Sequence, residues 1–396
     1  MKSGLIFIFV TIFLFSCNHK NKKVNEINSP YSKFLVEHFN DSVKNVTWKM
    51  IEKEKKKSVD SLLLEQDSLF VCVGENPLFN KVKKKVLKNP YFDNSVEYYQ
   101  EWKNLPITYS VVYKNNLISL FPKGKFVCHD LKVIERNFDL EKKLSLYDFE
   151  NFWLYEGKLI ALFNEKIYEW INDKWNLTDL KFPLLRSTKL FEDNDFVVFN
   201  DDFGEWGATV YFYHKRTRNV YFTLGFKVNG IFKKNNKYYI IEHKYSRGSK
   251  IVEIDNPLKL SVADPDKMFN QVKFRDINGL ENVGAYGYLD NSKVAKDVYD
   301  KDLLLLFSSF NIDNKSYYLG NIYELTFIAE LKDNGKKVEI VHPFFKEDNY
   351  LLDPITDVQE NYIVINSGRD KREESVILIN KNEILKLDWN TLHNLW

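Results

Sequence analysis

Cysteine is scarce in this chain, with three among 396 residues. They stand at positions 17, 72 and 128, without a Cys-x-x-Cys pair or the Cys/His spacing of a zinc site. No metal centre or cofactor is therefore expected. Charge of one sign is lacking too: 57 Lys and Arg face 55 Asp and Glu, a formal balance of +2. Nucleic-acid binding usually leaves a strongly basic footprint, so nucleic acid is not expected as a partner. The lysine-rich runs at 52–57 and 81–88 are read as solvated faces or linkers. Long apolar runs are missing as well. The one extended case, Leu5 to Phe15, is broken by Thr11 and falls short of the roughly 20 residues a spanning helix needs. Catalytic signatures are equally absent, with no GxSxG, HExxH, P-loop or GxGxxG. Asp193-Asn194-Asp195 starts like a calcium loop but lacks the downstream Gly and the bidentate Glu. His129, His214, His243 and His342 are scattered and read as structural.

Aromatic residues are what the chain has in abundance, 16% of it, with 23 Tyr and 31 Phe. Such richness favours strands over helices. The stretch Asn151 to Leu180 shows how they are deployed. Phe152 to Tyr155, Lys158 to Phe163 and Ile167 to Trp170 are three short strands, and Trp175 closes the unit after a polar Asn172-Asp173-Lys174 turn. The same grammar recurs to the C-terminus. Polar turns at Lys114-Asn115-Asn116, Glu192 to Asp195, Lys234 to Lys237 and Glu360-Asn361 each separate two strands, and a more variable loop precedes the third. Six units over 107–388 average about 47 residues, within the range of propeller blades.

That pattern resembles a β-propeller, kelch-like in repeat length, although no kelch or WD40 signature is present. The resemblance implies an all-β fold of about six or seven four-stranded blades over 107–396, fastened where the chain ends join near Glu383 to Leu387. A large β-sandwich or two β domains remain the alternative. They would need longer crossovers than the chain offers, except around 261–281. Residues 30–106 form a lead-in of uncertain role, with a short helix after Ser29-Pro30 and strands near 46–51 and 61–73.

Met1-Lys2, the apolar run and Leu14-Phe15-Ser16-Cys17 together have the layout of a secretory signal. The LFSC end resembles a bacterial lipobox. That resemblance implies cleavage after residue 16, acylation of Cys17, a tether over 17–29 and membrane attachment in the cell envelope. The residues after Cys17 are Asn18-His19-Lys20-Asn21-Lys22-Lys23, basic rather than acidic, so a periplasm-facing protein is expected. Cys72 and Cys128 lie in apolar strand contexts and read as buried thiols more readily than as a bridge.

In the propeller register, loops between second and third strands gather on one end of the disc. Asp201, Asp202, Glu205 and Trp206 occupy one such loop, Tyr245 and Arg247 another, Tyr317 and Tyr318 a third, and Arg369 a fourth. Carboxylates, aromatic rings and guanidinium groups on one rigid platform suit a protein or glycan ligand. Trp206 between Gly204 and Gly207 also reads as packing at a bulge. Three classes of function stay open: a non-enzymatic binding module, an envelope carbohydrate-active hydrolase or lyase, and an accessory or toxin-neutralising lipoprotein.

Overall fold

Two-residue turns set the architecture. Lys114-Asn115, Glu156-Gly157, Asn164-Glu165, Asn172-Asp173 and Asn235-Asn236 all have both residues at positive φ. This is the turn geometry whose twist matches that of the flanking strands. Asn, Gly and Asp tolerate it best, which is why the polar punctuation of the sequence marks real hairpins.

The structure is a computed structural model. It describes most of 105–389, apart from 183–186, 203–206, 245–247, 264–271, 276–280, 285–293, 302–303, 313–314, 323–324, 333–334, 336, 346–353, 370–371 and 381–382, and before 105 only 44–46, 69–73 and 81–84. Six four-stranded antiparallel units follow one another as the blades of a β-propeller. Blade 1 comprises Val111–Tyr113, Asn116–Phe121, Lys125–Asp130 and Glu135–Arg136. Blade 2 runs Asn151–Tyr155, Lys158–Phe163, Lys166–Ile171 and Lys174–Leu177. Blade 3 is Thr188–Glu192, Phe196–Asp202, Ala208–His214 and Val220–Gly225, with Ser261–Val262 added outside. Blade 4 takes Lys227–Lys234, Lys237–His243 and Ser249–Ile254, then Ala295–Lys301 as its fourth strand. The excursion before that fourth strand, which carries a separate hairpin of Val272–Arg275 and Glu281–Gly284, is the long crossover foreseen around 261–281. Blade 5 contains Leu305–Ile312, Lys315–Ile322, Leu325–Lys332 and Lys337–Phe345. Blade 6 contains Ile355–Gln359, Tyr362–Arg369, Arg372–Asn380 and Glu383–Asp388.

Five apolar clusters mark the seams between blades. Strand alternation explains them. In blade 2, Leu159 and Ala161 join Phe126 and Cys128 of blade 1, whereas Ile160 and Leu162 face Phe199 and Tyr211 of blade 3. Both faces of each sheet are thus buried, and the strands read as nearly continuous apolar runs. Blade 6 repeats the device, sending Ile365 and Ile377 towards blade 5 and Val364 and Val376 towards Leu117 and Val127 of blade 1. Each large side chain so buried contributes about 1.5–3 kcal/mol.

The lead-in adds strands outside the blades. Leu69–Val73 pairs in parallel with the fourth strand of blade 5, and Lys44–Val46 pairs beyond it. Lys81–Lys84 pairs in parallel with Glu383–Asp388, so the lead-in joins the last strand of blade 6. The helix foreseen after Ser29 lies outside the described residues, as does Cys17. A helix not foreseen, Phe138–Leu144, follows blade 1 and is capped by the Asn137 side chain, which accepts from the Leu140 N–H at 3.1 Å. The signal for it was Asn137, a good N-cap, ahead of Asp139 and Glu141 in the first turn. Cys128 is a free, buried thiol whose pKa burial pushes up. No helix among the described residues is long and apolar enough to cross a membrane.

Candidate functional site

The inner strands of a propeller line its axis, and here they do so unequally. Ile355, at the start of blade 6, packs with Leu190 of blade 3 and Ile231 of blade 4. Blade 6 thereby leans across the axis, and the open space is left among blades 1, 2, 3 and 6. A cavity of about 300 Å³ occupies it. Its wall includes Tyr109, Ser110, Asn151, Trp153, Thr188 and Asn366. These residues sit before or at the beginnings of inner strands, apart from Asn366, which pairs with Ile355, and Trp153, at mid-strand. The cavity therefore belongs to the half of the axis nearest the second-to-third-strand loops.

A second chamber of about 440 Å³ adjoins it towards the other end, sharing Leu154, Lys189, Asp357 and Gln359. It is ringed by the first turns of the blades, with Glu156, Asp193, Lys215 and Glu360 on its rim. Lys189 donates to Glu192 at 2.6 Å and to the Leu154 carbonyl at 2.5 Å, and Lys215 reaches the other Glu192 oxygen at 2.7 Å. Burial pushes the Glu192 carboxyl up, but these cations and the Glu156 amide outweigh it and hold the group below its usual range. Asp193 accepts from Lys233 and from the Tyr238 hydroxyl, both at 2.6 Å, and so ties blade 3 to blade 4. It too is depressed, its donors overcoming partial burial. Glu360 accepts from the Lys114 and Asn115 amides, joining blade 6 to blade 1.

The seam between blades 6 and 1 holds a wholly buried carboxylate. Glu373, 0% exposed, accepts from the Ser110 amide at 2.5 Å, Asn366 Nδ2 at 2.7 Å, Trp389 Nε1 at 2.6 Å and the Ser110 hydroxyl. Burial outweighs these donors and pushes its carboxyl up to about 7. Ser110 and Asn366 also line the cavity, so Glu373 holds part of its wall. In blade 4, burial raises Glu242 to about 7 and lowers the neighbouring His243 to about 4.

The residues singled out from sequence are distributed as follows. Asp201 and Asp202 end the second strand of blade 3, and the backbone of Arg369 ends that of blade 6, on the same end of the disc by topology. Glu205, Trp206, Tyr245 and Arg247 lie outside the described residues, as does the Arg369 side chain. Tyr317 and Tyr318 are in a strand, not a loop: both belong to Lys315–Ile322, which pairs antiparallel with Leu305–Ile312. Tyr317 is 0% exposed and stacks on Phe310, and Tyr318 meets Phe232 of blade 4 edge-on. The sequence misled because polar residues continue past Asp313-Asn314 through Lys315 and Ser316, which made a longer loop of the stretch. The cavity wall was missed because it is assembled from the starts of inner strands in blades 1, 2, 3 and 6, far apart in sequence, a pattern with no local signature.

No family model matches this chain, and no curated protein does. Among solved structures it is similar to the tricorn protease, at 13% identity and a TM-score of 0.38, over 71% of this chain and 26% of that one. It is also similar to BamB from Moraxella catarrhalis, at 10% identity and a TM-score of 0.28, over 69% and 70%. The extracellular domain of a hybrid two component system from B. thetaiotaomicron gives 10% identity and a TM-score of 0.32, over 72% and 38%. The chain thus spans about a quarter of the tricorn protease chain it matches.

Proposed function

We propose that this protein is a lipid-tethered binding module of the bacterial cell envelope. Cys17 carries the lipid, residues 17–29 are the tether, and the propeller presents one end and its axial cavity to an envelope protein or glycan. The side of the membrane is the periplasmic one. One observation carries the binding reading over acid–base chemistry: among the described residues, every carboxylate lining the two axial chambers is already engaged by the fold. Glu192 and Glu156 meet Lys215, Asp193 meets Lys233, and Glu360 takes two backbone amides. Glu150 accepts from the Asn164 amide, and Asp357 accepts from the Val358 amide and Gln359 Nε2. Groups so held stiffen a platform and are poorly placed to shuttle protons.

Two measurements test the reading. Cys17→Ser should move the chain from the membrane fraction to the soluble envelope fraction, since stable anchoring rests on buried acyl chains. A photoreactive side chain at Asp202 should give discrete envelope adducts in cells, whereas one at Leu177, on the outer strand of blade 2, should not. Equal labelling from both positions, or none from Asp202, contradicts a binding end.

A further inference from the structure

We infer that the seam between blades 6 and 1 is a proton-sensitive latch: blade 6 side chains stand in for a missing strand along the inner edge of blade 1, and loss of the Glu373 proton loosens the cavity wall they hold. The inference stands apart from the binding-module reading.

The latch begins in the backbone. Blades 6 and 1 share no strand, so no continuous main-chain ladder crosses the ring at this join. A main-chain bond does cross it, from the Glu373 amide to the Pro106 carbonyl at 3.1 Å. Beyond that point side chains take over. The inner strand of blade 1 turns alternate amides towards blade 6, and each finds a side-chain oxygen there. The Ser110 amide donates to Glu373 at 2.5 Å, the Val112 amide to Gln359 Oε1 at 2.6 Å, and the Lys114 amide to Glu360. In return Asn366 Nδ2 donates to the Ser110 carbonyl at 3.0 Å. Ser110, Gln359 and Asn366 also line the axial cavity, so what holds the seam holds that wall.

Glu373 is the wholly buried rung, and its partners among the described residues are neutral donors. The charged or titratable groups on the elements around it are Arg372 and Glu374 on its own strand, Lys386 on the outer strand, Asp357 on the inner one, and Lys114 and His129 from blade 1. None of them bonds to its carboxyl. Arg372 donates instead to the Leu105 carbonyl at 3.5 Å, and His129 lies 5.9 Å from the Trp389 ring. A buried carboxylate without a counter-ion favours its protonated form. Burial accordingly pushes this carboxyl up to about 7. The cluster has a place for the proton. Three of its four donors are fixed N–H groups, but the Ser110 hydroxyl can reverse. When the acid is neutral its O–H donates to Ser110 Oγ, and the Ser110 hydroxyl turns to its other neighbour, Ser119 Oγ.

The sign follows from where the carboxyl goes. When the blades part it meets water and returns to its ordinary value of 4.5. Between about pH 4.5 and 7 the closed seam holds a proton that the open one releases, so rising pH favours opening. The seam is tightest below about pH 4.5, and opening gains about a hundredfold by pH 7.5.

The experiment uses the full chain in detergent. Trp389 Nε1 donates to Glu373 at 2.6 Å, so its ¹⁵N indole signal, identified by its loss in Trp389→Phe, reports the carboxyl directly. It is expected to titrate with a midpoint near 7 in the wild type and in His129→Gln, and to stay flat in Glu373→Gln. Hydrogen exchange read by mass spectrometry, corrected for the intrinsic rate, then compares peptides over 107–115 with peptides over 158–163 in blade 2. Protection of the first relative to the second is expected to fall about a hundredfold from pH 4.5 to 7.5 in the wild type, and not in Glu373→Gln. A Trp389 signal that is flat across this range overturns the inference, as does one that still titrates in Glu373→Gln. A titrating signal with the two sets of peptides keeping step also overturns it, since Glu373 would then be a buried acid and no latch. Should Glu373→Gln fail to fold, His129→Gln separates the two groups, and loss of the titration there assigns it to the histidine and overturns the latch.

Discussion

Replacing Glu373 by Gln tests how blades 6 and 1 are held together. In the native seam one carboxylate oxygen takes the Ser110 amide and Asn366, and the other takes Trp389 and the Ser110 hydroxyl. Glutamine keeps the shape but offers one acceptor. If its oxygen serves Ser110 and Asn366, its NH₂ faces the Trp389 N–H, and a buried donor is orphaned at a cost of about 1–3 kcal/mol. The charge adds a second effect of opposite sign. Burial holds the folded carboxyl at about 7 against an ordinary 4.5. Between those values the folded state keeps a proton that the unfolded chain has lost, so stability is full below about pH 4.5 and declines as pH rises through about 7. For a wholly buried group this amounts to about 3 kcal/mol. The variant should therefore be less stable than wild type at pH 4.5, and should close the gap or overtake by pH 8. Urea melts at several pH values between these limits read this directly. Glu242, also raised to about 7, slopes both curves alike, so the difference between them isolates Glu373. Parallel curves for the two proteins would refute the argument.

Gly124→Ala should destabilise by about 3 kcal/mol, because Gly124 sits at φ +63° and a Cβ there would run into the Tyr147 carbonyl. A thermal melt within a degree of wild type would contradict that close approach. Truncation before Glu383 removes the outer strand of blade 6, the register with Lys81–Lys84, and Trp389, which packs edge-on against Phe121. The shortened chain should be insoluble or melt without cooperativity, and a transition as sharp as that of the full chain would show that the ring does not depend on this join.

Much of the fold was legible in the sequence because its signals are local. A two-residue turn such as Asn235-Asn236 must take positive φ, and the residues that tolerate it are few, so the hairpins and their spacing could be read directly. The apolar runs they bound can be satisfied only by burying both faces, as Leu159 to Leu162 do between blades 1 and 3. From that follow an all-β array and a blade length of about 47 residues. Between Asn311 and Gly320 the Asp313-Asn314 pair was taken into a longer loop, the register slipped, and Tyr317 was read as a loop residue when it is core. The remainder was decided by packing over long sequence separations. Nothing local in the sequence marks Glu373, whose partner Ser110 lies 263 residues away and reaches it only when the ring closes. Ile355 of blade 6 packs with Leu190 of blade 3 and Ile231 of blade 4, and the cavity beside it is walled by short runs of residues from blades 1, 2, 3 and 6. Periodicity along a strand reports which face is buried, not which distant strand covers it, so the seam and the cavity emerge only when the ring closes.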